Sequence, residues 1–317
     1  MIANLVKAAA LGLTLAVSTL SPAAWAREFP AKPVTIIVPY SAGGGADSFA
    51  RALQRPLESA LGTDVVVRNV AGGGGAVGYM QALAARPDGY TVTVPLNAIF
   101  TLVGMGNVTF KVDDFDYIAR ITEEPYVLTV TRSDRWSDLQ SFIAASQEKP
   151  VTLGVAGVGS SGHIMTIAMA QDLGLKANFI PYGGNADAAA AALGGHIDGV
   201  VLQPSDAAAA IEGEGGLIPL AATAPSALLK DVPLFKDLGV DLTTAQWRGI
   251  ATPKGVDPAI LARWEDALKT AVKDPEFRQT MTNLGFDLNP IYGADLQAFV
   301  QQAQDLFLPL TEAVATQ

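Results

Sequence analysis

The stretch VTIIVPYSAGGGADSFARAL, Val34–Leu53, decides the fold. Val34–Val38 is an unbroken β-branched run halted by Pro39, which predicts a strand covered on both faces. Three glycines follow. Behind them Phe49, Leu53, Leu57 and Leu61 recur every fourth residue, the spacing of one helix face. Strand, glycine turn and helix make the first half of a βαβ unit. Pro56 lies inside that helix and is expected to kink or split it.

The same rhythm continues along the chain. Val65–Val67 reads as a strand, Val77–Ala85 as a helix, Arg86–Tyr90 as a Pro-Asp-Gly turn, and Thr91–Leu96 as a third strand. Tyr126–Thr131 and Val151–Ala156 are further strands. Between them Ser137 followed by Gln140 has the form of a capping box opening a helix. Helix Ser161–Leu173, strand Phe179–Pro181, helix Asn185–Leu193 and strand Ile197–Leu202 follow in order. Alternation of this kind implies parallel sheets flanked by helices. The last part differs: Pro258–Lys273, Pro275–Leu284 and Ala294–Leu310 are three helices in near succession, expected to pack on sheets formed earlier.

Composition narrows the function. Residues 1–26 carry Lys7, an apolar segment Ala8–Leu20 and an Ala24-Trp25-Ala26 cleavage pattern, the arrangement of a secretory signal peptide. No later run is long and apolar enough to span a bilayer. The chain has no cysteine, which removes disulfides, thiolate metal sites and thiol nucleophiles. A formal charge of −10 argues against nucleic acid as a partner. Small anions remain open, because a pocket is governed by its own donors and distant surface charge is screened.

Glycine loops recur at RNVAGGGGAVGYM, Arg68–Met80, and GVAGVGSSGHIMT, Gly154–Thr166. Two fit the dinucleotide spacing: Gly73, Gly75, Gly78 and Gly157, Gly159, Gly162. That fingerprint also needs an acidic residue about 20 positions on to hold a ribose. The chain offers Asn97 and Tyr182 there instead, and no Lys-Ser or Lys-Thr completes a P-loop. A more general reading survives. A helix N-terminus presents unpaired N–H groups and partial positive charge, and glycines let the backbone close on a ligand. Asp47, in the first turn of its helix, is expected to cap its own amides and to orient the glycine loop.

Catalysis finds little support. The chain has two histidines and no G-x-S-x-G elbow. Ser160 and Ser161 beside His163 are the one nucleophile–base set, and adjacent residues at a helix start point in different directions. They read better as a helix cap and as hydroxyls offered to a ligand. No His/Asp/Glu spacing suggests a metal, and no cofactor is expected.

Phe29–Arg51, Val65–Val92, Gly157–Leu175, Ile180–Val201 and Trp247–Asp287, in that order and spacing, resemble the tripartite tricarboxylate transporter substrate-binding proteins, also called the Bug family. The resemblance covers nearly all of the chain beyond residue 26. It implies an α/β fold of two domains, in the manner of type II periplasmic binding proteins, with parallel-rich sheets and a ligand cleft between the domains. Domain one would be residues 27–123 with 246–317, completed by the terminal helices, and domain two residues 124–245.

The implied ligand contacts are Tyr40, Ser41, Ala42, Gly43, Gly44 and Asp47, with Gly73 and Asn97, on the first domain. Facing them are Gly159, Ser160, Ser161, His163, Tyr182, Gly183 and Gln203. Trp247 and Arg248 lie on a crossing strand. The implied role is a periplasmic, monomeric receptor of a Gram-negative bacterium, capturing a small organic acid for membrane permease subunits without entering the membrane. Two other readings stay open: a secreted enzyme using His163 as base, and a ligand sensor for a membrane kinase.

The chain departs from the family pattern at three places. Asn69-Val70-Ala71-Gly72 lacks the usual arginine. Arg248 either points into the cleft, where it clamps a second carboxylate, or outward as a surface charge. Val94–Leu102 is unusually apolar, so Ile99 and Phe100 either widen the cleft for an apolar ligand or belong to the core.

Overall fold

The computed structural model describes residues 29–211, 213 and 215–315. The segment expected to be a signal peptide, residues 1–26, lies outside them. In the first part of the chain, β1 (Val34–Val38), α1 (Gly45–Leu61), β2 (Val65–Asn69), α2 (Ala76–Leu83), β3 (Thr91–Thr93) and α3 (Ala98–Gly104) lead to a long strand, β4 (Phe115–Pro125). The strand expected from Val34–Val38 is there. It pairs in parallel with β2 on one side and β3 on the other, and Val34, Ile36 and Val38 are fully buried. Phe49, Leu53, Leu57 and Leu61 form the buried face of α1. The helix runs unbroken through Pro56, contrary to the expected split. It ends where Gly62 takes a left-handed conformation (φ 74°) and returns its N–H to the Glu58 carbonyl.

A second set follows a single residue after β4. It comprises β5 (Val127–Val130), α4 (Leu139–Glu148), β6 (Val151–Val155), α5 (Ser161–Asp172), β7 (Ala177–Pro181), α6 (Asn185–Leu193), β8 (Gly199–Leu202), α7 (Pro204–Ile211) and β9 (Ile218–Ala222). The cap of α4 sits one residue later than expected. Asp138 accepts the Ser141 N–H at 2.8 Å and Ser141 Oγ takes the Asp138 N–H at 3.0 Å. A carboxylate complements the helix dipole better than a serine hydroxyl, and this shifts the box.

The chain then returns through β10 (Ala245–Pro253), α8 (Pro258–Ala271), α9 (Pro275–Asn283), β11 (Leu288–Ile291) and α10 (Gly293–Ala315). Two sheets result. One is ordered β11-β4-β10-β3-β1-β2, the other β7-β6-β8-β5-β9. Both are mixed: the βαβ strands pair in parallel, while β4, β5, β9, β10 and β11 join antiparallel. Each sheet with its helices makes one lobe of an α/β fold.

The chain crosses between the lobes twice, at Tyr126 and after Thr244. These crossings are tied together. Tyr126 N–H donates to Thr223 Oγ1 at 2.9 Å, and Thr223 Oγ1 donates to the Thr244 carbonyl at 2.7 Å. The terminal helices complete the first lobe: α8 lies on α1 and Trp264 Nε1 donates to the Gly89 carbonyl at 2.9 Å. Helix α10 covers α3 and β4 and also reaches α5 of the second lobe.

Candidate functional site

Four helices begin at the line where the lobes meet. The start of α1 comes from the first lobe, and those of α5, α6 and α7 from the second. Each brings the positive end of its dipole, although at α7 the first N–H groups are already taken, Ser205 N–H by Glu124 and those of Asp206 and Ala207 by the Gln203 carbonyl. They surround a cavity of about 40 Å³. Six of the expected residues line it: Tyr40, Ser41, Gly44, Ser161, Gln203 and Arg248. The strands stop at the lobe junction because glycines and Pro39 end them there, and this points the helix starts inward.

Arg248 is the single lysine or arginine among the lining residues, and it points inward. It is only 1% exposed and stacks over Phe286 at 5.2 Å. Nη1 is paired with the Glu124 carboxylate, Nη2 donates to Gln203 Oε1 at 3.3 Å, and Nη2 lies 3.8 Å from Asp206 Oδ2. Burial pulls the guanidinium down to about 9, still cationic at neutral pH. Glu124 also accepts Ser205 N–H and Oγ, each at 3.1 Å.

Asp206 receives the Gly45 N–H on Oδ1 and Asn185 Nδ2 at 2.8 Å on Oδ2. Burial nevertheless raises its pKa above the ordinary carboxylate value, outweighing those two donors. Ser161 Oγ donates to Gln246 Oε1 at 2.8 Å, and the same oxygen accepts Tyr126 Oη at 2.7 Å.

The other expected residues support the cavity from behind or lie away from it. Asp47 caps no amide of its own helix. It accepts Gly43 N–H and Arg51 Nε, both at 2.9 Å, and so holds the glycine loop. Burial pushes its carboxyl upward, but the Arg51 and Gly43 bonds outweigh that and keep it below the usual range. Ala42, Gly43, Gly73 and Gly183 face solvent. Asn97 sits by the crossings, donating to the Ala245 carbonyl at 2.7 Å and to Tyr126 Oη at 3.2 Å.

Ser160 Oγ accepts His163 N–H at 3.0 Å as the N-cap of α5. His163 Nδ1 accepts Gly159 N–H at 3.2 Å, and burial lowers its pKa. The two neighbouring serine hydroxyls are engaged elsewhere, Ser160 Oγ by the His163 backbone N–H and Ser161 Oγ by Gln246. Tyr182 packs on the α6–β8 core. Trp247, expected at the ligand, is instead buried among Phe100, Tyr117 and Phe299. Ile99 and Phe100 are fully buried and belong to the core; Leu96 is the member of that loop that reaches the cavity.

Sequence reasoning missed Asn185, Asp206, Gln246 and Glu124. The Gly183-Gly184-Asn185 and Gln203-Pro204-Ser205-Asp206 stretches each follow a strand and open a helix, which was the available signal for the first two.

Comparison with known proteins identifies the architecture. The chain is 30% identical over 287 residues to the UPF0065 protein in the gbd 5′ region of Cupriavidus necator, covering 90% of this chain and 86% of that one. The structure of the periplasmic binding protein BugD superposes with a TM-score of 0.84 at 26% identity, over 90% of this chain and 98% of that chain. MatC from Rhodopseudomonas palustris, solved with bound malate, shares the fold with a TM-score of 0.81 at 23% identity, over 89% and 100% of the two chains. The profile of the tripartite tricarboxylate transporter family receptor matches residues 49–314, from the first turns of α1 almost to the end of α10, and the chain belongs to that family of solute-binding proteins.

Proposed function

We propose that the protein is a periplasmic receptor that captures a small organic acid between its lobes and presents it to the permease subunits of a tripartite tricarboxylate-type transporter. The observation that carries this reading is the convergence of four helix N-termini and one buried guanidinium on a cavity between two lobes. Such a site suits an anion, and no histidine is among its described lining residues to pair with the Ser161 hydroxyl. MatC, of the same fold, holds malate.

The moving bodies are the lobe of β1 to β4 with β10 to α10 and the lobe of β5 to β9, turning about the Tyr126–Thr223–Thr244 crossings. A cavity that admits benzene measures about 150 Å³, so the lobes must part for the 40 Å³ cleft to take a ligand. Ligand contact with both lobes is what favours closure.

A thermal-shift screen of the mature chain against mono-, di- and tricarboxylates, aromatic acids, amino acids and nucleotides tests the reading. A ligand at 100 times its Kd adds about 2.7 kcal/mol of stability. A clear rise with one class of acid is expected and none with nucleotides; no rise with any acid, from protein freed of co-purifying ligand by unfolding and refolding, would reject it.

The two serines separate in the same assay. Ser160→Ala removes a helix cap and is expected to cost about 1 kcal/mol of stability with affinity changed less than about threefold, whereas Ser161→Ala, which removes a lining hydroxyl, should weaken binding at least tenfold, about 1.4 kcal/mol. Denaturant titration and calorimetry read the two effects. Equal loss of affinity in both variants would move Ser160 into the ligand shell.

A further inference from the structure

The cleft is not a neutral cradle for an anion. Its lining holds one cation, Arg248, and that guanidinium already serves two carboxylates, Glu124 and Asp206. Glu124 is fully buried and locked by both donors of Ser205. Asp206 lines the cavity itself. With both carboxylates ionised, the three groups carry one excess negative charge in a buried space where charges are weakly screened. Arg51, on α1, is paired with Asp47, and Asp187 adds a further carboxylate, accepting Ser41 Oγ at 2.9 Å.

The location of Asp206 sharpens the point. Its Oδ1 takes the Gly45 N–H, so a carboxylate of the protein already occupies the N-terminus of α1, the place an incoming acid would favour. Gly45 permits this approach; a Cβ there would lie 2.6 Å from Arg248 Nη2 and 3.0 Å from Asp206 Oδ1. A plain dianion would meet the fixed Asp206 carboxylate beside a guanidinium whose Nη1 and Nη2 are already turned to Glu124 and Gln203, with Nε its one unpaired nitrogen. An acid that also carries an ammonium brings the counter-charge that Asp206 lacks, and leaves its own carboxylate to the helix starts of the second lobe and to Ser161.

We propose that Asp206 is the specificity-determining residue of the cleft and that it selects carboxylic acids bearing a protonated amine over their amine-free counterparts. This rests on the receptor reading above and narrows its ligand class.

Calorimetry with matched pairs that differ only in ammonium against hydroxyl provides the test: aspartate with malate, glutamate with 2-hydroxyglutarate, and phenylalanine with 3-phenyllactate. The wild-type protein is expected to bind the amino member of at least one pair tenfold or more tighter. Asp206→Asn, which keeps an oxygen for Gly45 N–H, should reduce that ratio at least tenfold by weakening the amino acid and strengthening the hydroxy acid, while Asp206→Glu restores part of it. A latch role alone would weaken both members together and leave the ratio unmoved.

Wild-type preference for the hydroxy acids, or a ratio untouched by Asp206→Asn, overturns the proposal and leaves the receptor reading standing. Should Asp206→Asn not fold, the wild-type ratios alone decide. No binding of either member of any pair overturns this proposal; if the wider screen of acids is also silent, the receptor reading falls with it.

Discussion

Arg248→Ala is expected to destabilise the ligand-free protein by about 3–5 kcal/mol, a fall in melting temperature on the order of 10 °C, and to abolish measurable ligand binding. The size follows from what is left behind. Glu124 is completely buried and the side chain of Asp206 nearly so, and removing the guanidinium strands both carboxylates with only hydrogen bonds from Ser205, Gly45 and Asn185. Loss of the side chain also removes packing on Phe286.

Charge and packing can be separated. Arg248→Met with Glu124→Gln refills the volume and removes one stranded charge, and should recover more than half of the loss, because the cost of breaking a buried pair exceeds the net worth of the pair. Guanidinium chloride titration of the two single variants and the double gives the coupling. A loss below about 1 kcal/mol for Arg248→Ala would mean that water reaches the carboxylates and that the network behaves as a surface one.

The elements with one clean period were legible from sequence. Val34–Val38 and the Phe49-Leu53-Leu57-Leu61 face report burial directly, and both formed as expected. Strands that carry buried charge were not. β4 reads FDYIARITEEP, with Arg120, Glu123 and Glu124 interrupting its apolar positions, and β10 holds Arg248. Arg120 and Glu123 pair with each other at 3.1 Å, but Asn289 bonds both and Ser205 holds Glu124, partners far along the chain that no local pattern announces.

Pro56 shows the opposite error. Local chemistry predicted a break, but the buried face of α1 held against β2 and α8 keeps the helix whole. At the site, the glycine loops marked where helices start, while the side chains that set its charge, Asp206 and Glu124, lie outside those loops. Loop motifs give the backbone donors of a site; the selectivity between ligands sits in the residues that only tertiary contact brings to them.

Gly74→Ala should weaken ligand binding at least a hundredfold while lowering the stability of the ligand-free protein by no more than about 1–2 kcal/mol, the cost of a left-handed non-glycine residue. Gly74 (φ 65°) sits on the first lobe directly against the second. A Cβ there would lie 2.6 Å from the Val158 carbonyl oxygen and 2.7 Å from Ser160 N, both rigid backbone atoms. The opposing loop is held in turn, with the Gly159 carbonyl accepting Thr101 Oγ1 at 2.7 Å.

The added methyl therefore acts as a wedge that exists only when the lobes are together. Affinity falls by the fraction of molecules still able to close, and a closing penalty of about 2.7 kcal/mol gives the hundredfold loss. Gly106→Ala is the matched control. Its φ of 66° carries the same backbone penalty, yet a Cβ there meets nothing within 4 Å. Calorimetry on both variants, with small-angle scattering of each in the presence of ligand, separates strain from obstruction. Equal affinities in Gly74→Ala and Gly106→Ala would mean that ligand binds without the lobes meeting at this glycine, and closure could then no longer be the source of the affinity.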